Sequence, residues 1–94
     1  MKLVPGVLYE YRPLDNDNNP FGMSKTAIYL GYHTEHDCYY EAIRGRRKDS
    51  WAVYRFIDIA TGKKYTIEID LEPWSKLSSR EEPIILDRYQ FIPV

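Results

Sequence analysis

Apolar and polar residues alternate along most of the chain, which is the period-2 pattern of half-buried β-strands. The pattern is clearest in "YTIEID", where a tyrosine and two isoleucines alternate with a threonine, a glutamate and an aspartate. Comparable alternation recurs five more times along the chain. Six strands are therefore predicted, over residues 6–12, 25–33, 38–44, 51–59, 65–70 and 84–92.

Within these strands, the alternation also predicts which side chains enter the core. Trp51 and Ile57 of the fourth predicted strand, and Ile67 and Ile69 of the fifth, are expected to be buried. Gly31 interrupts the second strand without ending it. A glycine at such a position indicates a β-bulge or a close approach of two backbones.

Turn-forming residues mark the predicted connections. Residues 13–24, "PLDNDNNPFGMS", predict a long surface loop, and "TEHD" (34–37) and "ATGKK" (60–64) predict short turns. The segment "RGRRKDS" (44–50) is predicted to be a hairpin tip. Pro73 is expected to open one helical turn at 73–79 that covers an end of the sheet.

The order of these elements predicts an all-β chain that forms a single small β-barrel domain over residues 1–94. We expect a small SH3-like or partly open barrel of five to six mainly antiparallel strands, with one short helical turn before the last strand. The layout resembles that of SH3-like barrels, but no family motif is matched residue by residue. Small barrels of this kind often bind nucleic acid or peptides, although a fold alone does not determine function.

Composition supports a β-rich chain and narrows its expected location. Nine tyrosines, three phenylalanines and two tryptophans in 94 residues favour pleated, aromatic-packed surfaces. The single cysteine, Cys38, excludes an internal disulfide framework. The sequence shows no apolar run of membrane-spanning length and no secretory signal pattern, so we expect a cytoplasmic protein without a membrane partner.

Charge is distributed unevenly, although the formal net charge is only −1. Residues 44–64 contain seven cationic and two acidic side chains, a local charge of +5, and the remaining residues carry −6. Such asymmetry favours one surface that attracts an anionic partner. The predicted tip supplies four of the cations, whose guanidinium and ammonium groups would contact phosphates.

Tyrosines on the strands flanking the tip would add stacking surfaces for bases, as in proteins that hold single-stranded nucleic acid. The alternative is that the tip is only solvated and that the tyrosines belong to the core. The predicted nucleic-acid site comprises Arg44, Arg46, Arg47, Lys48, Arg55, Lys63, Lys64, Tyr40 and Tyr54.

Metal binding and catalysis have weaker support. His33, His36 and Cys38 are close in sequence, but a structural zinc site requires four ligands and the chain has no further histidine or cysteine. No activated nucleophile, phosphate-binding glycine motif or cofactor motif is recognisable. We therefore expect no metal, no cofactor and no enzymatic activity.

The resulting hypothesis is a non-catalytic binding module whose partner is nucleic acid, held through the basic segment. The alternative is a small protein-interaction module, an adaptor or inhibitor, that uses an exposed strand edge or a tyrosine-rich patch. Tyrosine, tryptophan and arginine are enriched at protein-binding hot spots, which keeps this alternative open.

Overall fold

The computed structural model describes residues 2–41, 45–71 and 83–94, and within them the side chains of all but residues 36–41, 45–49, 71, 83 and 84. The strands are β1 (Leu8–Pro13), β2 (Lys25–Glu41), β3 (Gly45–Asp58), β4 (Lys64–Leu71) and β5 (Tyr89–Pro93). One short helix, α1 (Pro83–Arg88), directly precedes β5. The five strands form one antiparallel sheet in the order β4-β3-β2-β1-β5.

The prediction of an all-β chain of mainly antiparallel strands is confirmed, with five strands in the sheet and one short helix before the last of them. The count is five and not six because the predicted strand 25–33 and residues 38–41 of the next predicted strand belong to one strand, β2. The predicted closure into an SH3-like barrel is not confirmed. The sheet is open, and no backbone ladder joins β4 to β5 in the described part of the chain. The predicted helical turn at 73–79 lies outside the described residues. Among those that are described, no helix is both long and apolar enough to cross a bilayer.

The long β2–β3 pair corrects two sequence predictions. Residues 34–37, predicted to be a turn, continue β2 and pair with residues 49–52 of β3. The predicted tip is also wrong for residues 45–50, because these belong to β3, with Arg46 opposite Tyr40. "TEHD" contains no glycine or proline, and pairing with a neighbouring strand outweighs the low strand propensity of its residues.

The last predicted strand, residues 84–92, is the third correction. Residues 83–88 form α1, and the strand begins only at Tyr89. A short apolar run such as "IIL" fits a buried strand or a buried helix equally well by periodicity. Pro83 favours the helix, since proline is well suited to a first helical turn, and Ile85 is completely buried.

The core lies on one face of the sheet and is mainly aromatic. Tyr11 of β1 stacks on Phe56 of β3 with 5.8 Å between ring centroids, and Phe56 stacks on Phe91 of β5 at 6.0 Å. These strands are not neighbours in the sheet, so the sheet curls until side chains of separated strands meet. The buried residues of this concave face and its cover are Leu3, Tyr9, Tyr11, Ala27, Tyr29, Ala52, Tyr54, Phe56, Ile69, Ile85 and Phe91.

The predicted core is correct for β4 and wrong for β3. Ile69 is buried and Ile67 packs against the core, as expected. Trp51 and Ile57 are only half-buried and lie on the convex face, opposite the buried Tyr54 and Phe56. Both faces of β3 carry large apolar side chains, so period-2 alternation does not decide which of them is the core face.

The β-bulge expected at Gly31 is present. Tyr29 pairs with Phe56 and Gly31 pairs with Arg55, so Leu30 is an extra residue in β2. Gly31 has a φ of 125°. The bulge changes the alternation so that Tyr32, like Tyr29, faces the core, where its ring stacks on Tyr54 at 5.4 Å.

The predicted loop between β1 and β2 is also present, and its own hydrogen bonds hold its shape. The Asp15 Oδ1 atom accepts hydrogen bonds from the backbone amides of Asp17 and Asn19, both at 2.9 Å. A bridge between Leu14 and Pro20 closes the loop. Phe21 and Met23 follow the bridge and are exposed.

Alanine substitutions at the adjacent residues Phe56 and Ile57 test which face of β3 is the core. Phe56→Ala should lower the free energy of unfolding by about 3–5 kcal/mol, because it removes a fully buried ring from the stack. Ile57→Ala should cost less than about 2 kcal/mol, because that side chain is half-exposed. Denaturant titrations of both variants give the comparison, and equal losses would contradict the assignment of faces.

Substitution of Gly31 tests the bulge. A Cβ atom at this position would lie 3.5 Å from the Arg55 Nη2 atom, which is an ordinary contact, so the cost comes from the positive φ and not from crowding. Gly31→Ala should therefore lower the free energy of unfolding by about 1–3 kcal/mol. A denaturation midpoint equal to that of the natural protein would show that β2 passes this point without the strained backbone.

Candidate functional site

A groove of about 430 Å³ opens where the curled sheet brings β4 opposite β1 and β5. Its volume is in the range of small-molecule and side-chain pockets. The walls come from four strands, β1, β2, β4 and β5, and from the end of the β1–β2 loop. The lining residues are Tyr11, Pro13, Met23, Lys25, Tyr65, Thr66, Ile67 and Tyr89.

A pair of tyrosines joins the two sides of this tyrosine-lined groove. The Oη atoms of Tyr11 on β1 and Tyr65 on β4 are 2.6 Å apart and share a hydrogen bond. Tyr89 packs edge-on against Tyr11, with ring centroids 5.7 Å apart. The hydrogen bond holds strands that share no backbone ladder, and so it limits how far the groove can open.

Both phenols of the pair are held in the neutral form. Burial raises the pKa of Tyr11 above its ordinary value of 10.0. Burial is also the largest cause that raises the pKa of Tyr65, and the hydrogen bond to Tyr11 raises it further. At physiological pH the groove therefore carries no negative charge at this pair.

The rim of the groove is cationic and apolar. The Lys25 Nζ atom lies 5.8 Å from the centroid of the Tyr65 ring, a cation–π contact. Among the described residues that line the groove, Lys25 alone is charged. Met23 is 91% exposed, and the loop that carries it is held by a hydrogen bond from the Arg12 Nε atom to the Gly22 carbonyl at 3.1 Å.

A second pocket of about 360 Å³ is lined by Leu30, Arg55, Phe56, Lys64, Tyr65 and Thr66. Arg55 pairs with Thr66, and Ile57 pairs with Lys64, so the side chains of Arg55, Lys64 and Thr66 project from the convex face. We assign the pocket to this face and call it the convex pocket. Among the described residues that line it, the two charged ones are both cations.

Strand β4 is an edge of the sheet. Within the described residues it pairs only with β3, so its other side has backbone N–H and C=O groups without a ladder partner. Tyr65, Ile67 and Ile69 project towards the concave face, and the residues between them are exposed. The edge thus has a pocket on each face, and together they form the candidate site.

The structure does not gather the predicted basic site into one patch. Lys48 and Asp58 are ten positions apart on β3, which is about 33 Å of strand. Lys63 and Lys64 follow Asp58, whose amide donates to the Lys63 carbonyl at 2.9 Å. Arg46, Arg47 and Lys48 therefore lie far along β3 from Lys63, Lys64 and Arg55. Arg44 and the side chains of Tyr40, Arg46, Arg47 and Lys48 lie outside what the structure describes.

Tyr54 requires a correction as a stacking residue. Its side chain is 1% exposed and stacks on Tyr32 inside the core. A ring buried on both sides offers no face to a base. Of the predicted site, Arg55 and Lys64 line the convex pocket, and Lys63 is exposed beside them.

The predicted histidine and cysteine cluster is only partly described. The His33 Nε2 atom lies 2.8 Å from Glu35 Oε1, and both side chains are exposed. The side chains of His36 and Cys38 are outside the described set. Among the side chains that are described, no three histidine, cysteine or acidic residues are grouped as metal ligands.

As a site, sequence reasoning missed every residue that lines the groove, including Tyr11, Met23, Lys25 and Tyr89. Nothing in the sequence places Tyr11 against Tyr65. One usable signal was present, since a phenylalanine and a methionine stand in an otherwise polar loop. Comparison of the chain with models of known protein families, with curated proteins and with solved structures found no significant match.

Alkaline titration tests the tyrosine pair. A folded-state pKa above the unfolded value favours folding below pH 10, and this contribution is lost as the pH rises from the unfolded pKa of about 10 towards the folded one. The free energy of unfolding should therefore fall above pH 10, and more gently in Tyr65→Phe, which lacks this proton. Denaturant titrations between pH 8 and pH 12 measure both slopes, and identical slopes would contradict the raised pKa of Tyr65.

Proposed function

We propose that the protein is a non-catalytic binding module that takes up an extended segment of a partner protein along the edge of β4. The observation that carries this proposal is the combination of an open strand edge with a pocket on each of its faces. In strand addition, the backbone hydrogen bonds of the edge supply affinity, and pockets for alternate side chains supply specificity. The sequence left open a protein-interaction module that uses an exposed strand edge, and we propose that β4 is this strand.

The two pockets match the two sides of an added strand. Successive side chains of a β-strand point to opposite faces, so alternate residues of a bound segment would enter the groove and the convex pocket. The groove offers tyrosine rings and Ile67 to an apolar side chain. One hydrogen bond already joins the hydroxyls of Tyr11 and Tyr65, so one of their two O–H donors is satisfied within the groove.

Charge indicates which partner fits. In the part of the chain that the structure describes, the charged residues lining the two pockets are all cations, namely Lys25, Arg55 and Lys64. An acidic residue in the bound segment would therefore be favoured at this end of β4. Because all three are at the surface, their effect is on specificity and association rate more than on affinity.

The curled open sheet is consistent with a partly open, SH3-like barrel, which is the class expected from the sequence. In that interpretation, β4 and β5 border the seam where a closed barrel would be joined. The groove occupies this seam, and a partner strand would extend the sheet there. We propose that the sheet is such a partly open barrel and that the protein is located in the cytoplasm.

Nucleic acid is the second candidate, favoured by the proximity of Arg55 and Lys64 to the Tyr65 ring. Its support is weaker because Tyr65 stacks on Phe56 at 5.5 Å and has the Lys25 ammonium 5.8 Å from its centroid. Those contacts compete with base stacking. Any contribution of Tyr40, Arg46, Arg47 and Lys48 would come from a separate part of the β2–β3 pair, and Arg44 lies outside the described residues.

Peptide selection followed by charge reversal tests the proposal. A random peptide library selected on the immobilised chain should yield segments with alternating apolar residues and at least one acid. Arg55→Glu should weaken binding of a selected peptide about fivefold, since a surface attraction of about 0.5 kcal/mol becomes a similar repulsion. Fluorescence anisotropy of the labelled peptide measures the change.

The matched control is Lys63→Glu, which makes the same change of charge at an exposed lysine that lines neither pocket. It should leave peptide binding nearly unchanged.

Single-stranded RNA and DNA form the other arm of the test. Four cations on phosphates would make affinity fall on the order of a hundredfold between 50 and 200 mM salt, and Lys63→Glu would then weaken binding as much as Arg55→Glu. That result, without peptide selection, would replace the protein partner with nucleic acid.

A further inference from the structure

The exposed side chains of β4 form a row in which the charge changes sign. Lys64 stands at one end, and Glu68 and Asp70 stand towards the other, all exposed on the convex side of the strand. Among the described residues, none of these three forms an ion pair within the chain. Their charges are therefore available to a strand that pairs with the edge.

An edge that only prevents aggregation presents charges that would repel an identical edge. The row on β4 does the opposite. When two copies of β4 are placed antiparallel with a two-fold axis through Ile67, Lys64 of each copy stands opposite Asp70 of the other. Tyr65 then stands opposite Ile69, Thr66 opposite Glu68, and Ile67 opposite its own symmetry mate.

We propose that the second copy of this chain is a natural occupant of the β4 edge, and that two chains associate as a symmetric antiparallel pair centred on Ile67. Seven residues of each strand, 64–70, take part in this ladder. That is nearly the whole of β4, so most of its unpaired backbone groups obtain partners. The axis makes the contact isologous and closed, which limits assembly to two chains.

In this register, the concave faces of the two sheets lie on the same side of the joined sheet, and so do the convex faces. Residues that stand directly opposite each other project to the same side, so the apolar positions 65, 67 and 69 of the two copies meet on the concave side. A shift by one residue would place apolar side chains against the charged row. A shift of the axis to Glu68 would set that carboxylate against its own mate, a like-charge pair that is destabilising.

A two-fold axis through Thr66 also preserves the faces and sets Lys64 opposite Glu68. It joins only residues 64–68, five of each copy. The Ile67 register is favoured because it adds two residues to each strand of the ladder and brings Ile69 into it. The two registers differ in the acid that meets Lys64, and this difference makes them separable by substitution.

The association should be weak. One strand pair buries less surface than a stable interface of about 1,600 Å², so dimers should form at high micromolar concentration and dissociate on dilution. The inference shares the edge with the proposed function but does not depend on it. A partner segment and a second copy would compete for the same backbone groups.

Complementary charge reversals test the pairing by sedimentation velocity between about 10 µM and 1 mM. Lys64→Glu alone should lower the association constant of the dimer about thirtyfold, since two attractive pairs of about 0.5 kcal/mol each become similar repulsions, and Asp70→Lys alone should do the same. An equimolar mixture of the two variants should associate far better than either variant alone and nearly as well as the natural protein, because the mixed pair restores both ion pairs. All these residues are exposed, so the variants are expected to fold.

Glu68→Lys is the matched control, because it makes the same change of charge two residues from Asp70 on the same row. A mixture of Glu68→Lys with Lys64→Glu should associate less well than a mixture of Asp70→Lys with Lys64→Glu. The reverse order would overturn the Ile67 register. A natural protein that stays monomeric at 1 mM would overturn self-pairing altogether, whatever the peptide selection shows.

Discussion

The curl of the sheet depends on aromatic contacts between strands that are not neighbours. Phe56 of β3 stacks on Phe91 of β5 and on Tyr11 of β1, and Tyr11 shares a hydrogen bond with Tyr65 of β4. Antiparallel ladders alone would allow a flatter twisted sheet, whereas these contacts draw its two ends together over one face. The rings are large enough to fill the enclosed space in a chain of 94 residues. The sheet stays open between β4 and β5 in the described part of the chain, and the groove lies at this gap.

Local patterns predicted much of this fold, and the failures have a common physical origin. Alternation located the strands, and the inner face of β4 and the bulge at Gly31 were predicted correctly. Periodicity could not choose between the two apolar faces of β3, and it could not show that β2 continues through "TEHD". The core face of β3 and the length of β2 both depend on pairing with a neighbouring strand, and the sequence of one segment does not show what its neighbour is. The apolar run before Tyr89 fits a buried strand or a buried helix equally well for the same reason. The burial of Ile85 depends on contacts with residues distant in sequence.

The candidate site was less predictable than the fold because residues distant in sequence build it. Tyr11, Lys25, Tyr65 and Tyr89 meet only after the sheet curls, and no spacing in the sequence encodes that meeting. The basic segment shows the opposite error. Its residues are close in sequence, but an extended strand separates neighbours by about 3.3 Å each, so ten positions carry the charge across most of a small protein. A charge cluster in sequence becomes a surface patch in a loop or helix more readily than in a strand.

An open edge has to be either protected or used, and the charges on β4 favour use. Lysine and acidic residues keep the unpaired strand soluble, which is their usual role at an edge. Their order, with the cation at one end and the acids at the other, makes the edge complementary to an antiparallel copy of itself and to acidic segments near Lys64. The pockets on both faces add side-chain selectivity that a second copy does not need. If self-pairing is weak, a partner that also fills the groove would displace the second copy by mass action, and free edges would be most abundant in dilute protein.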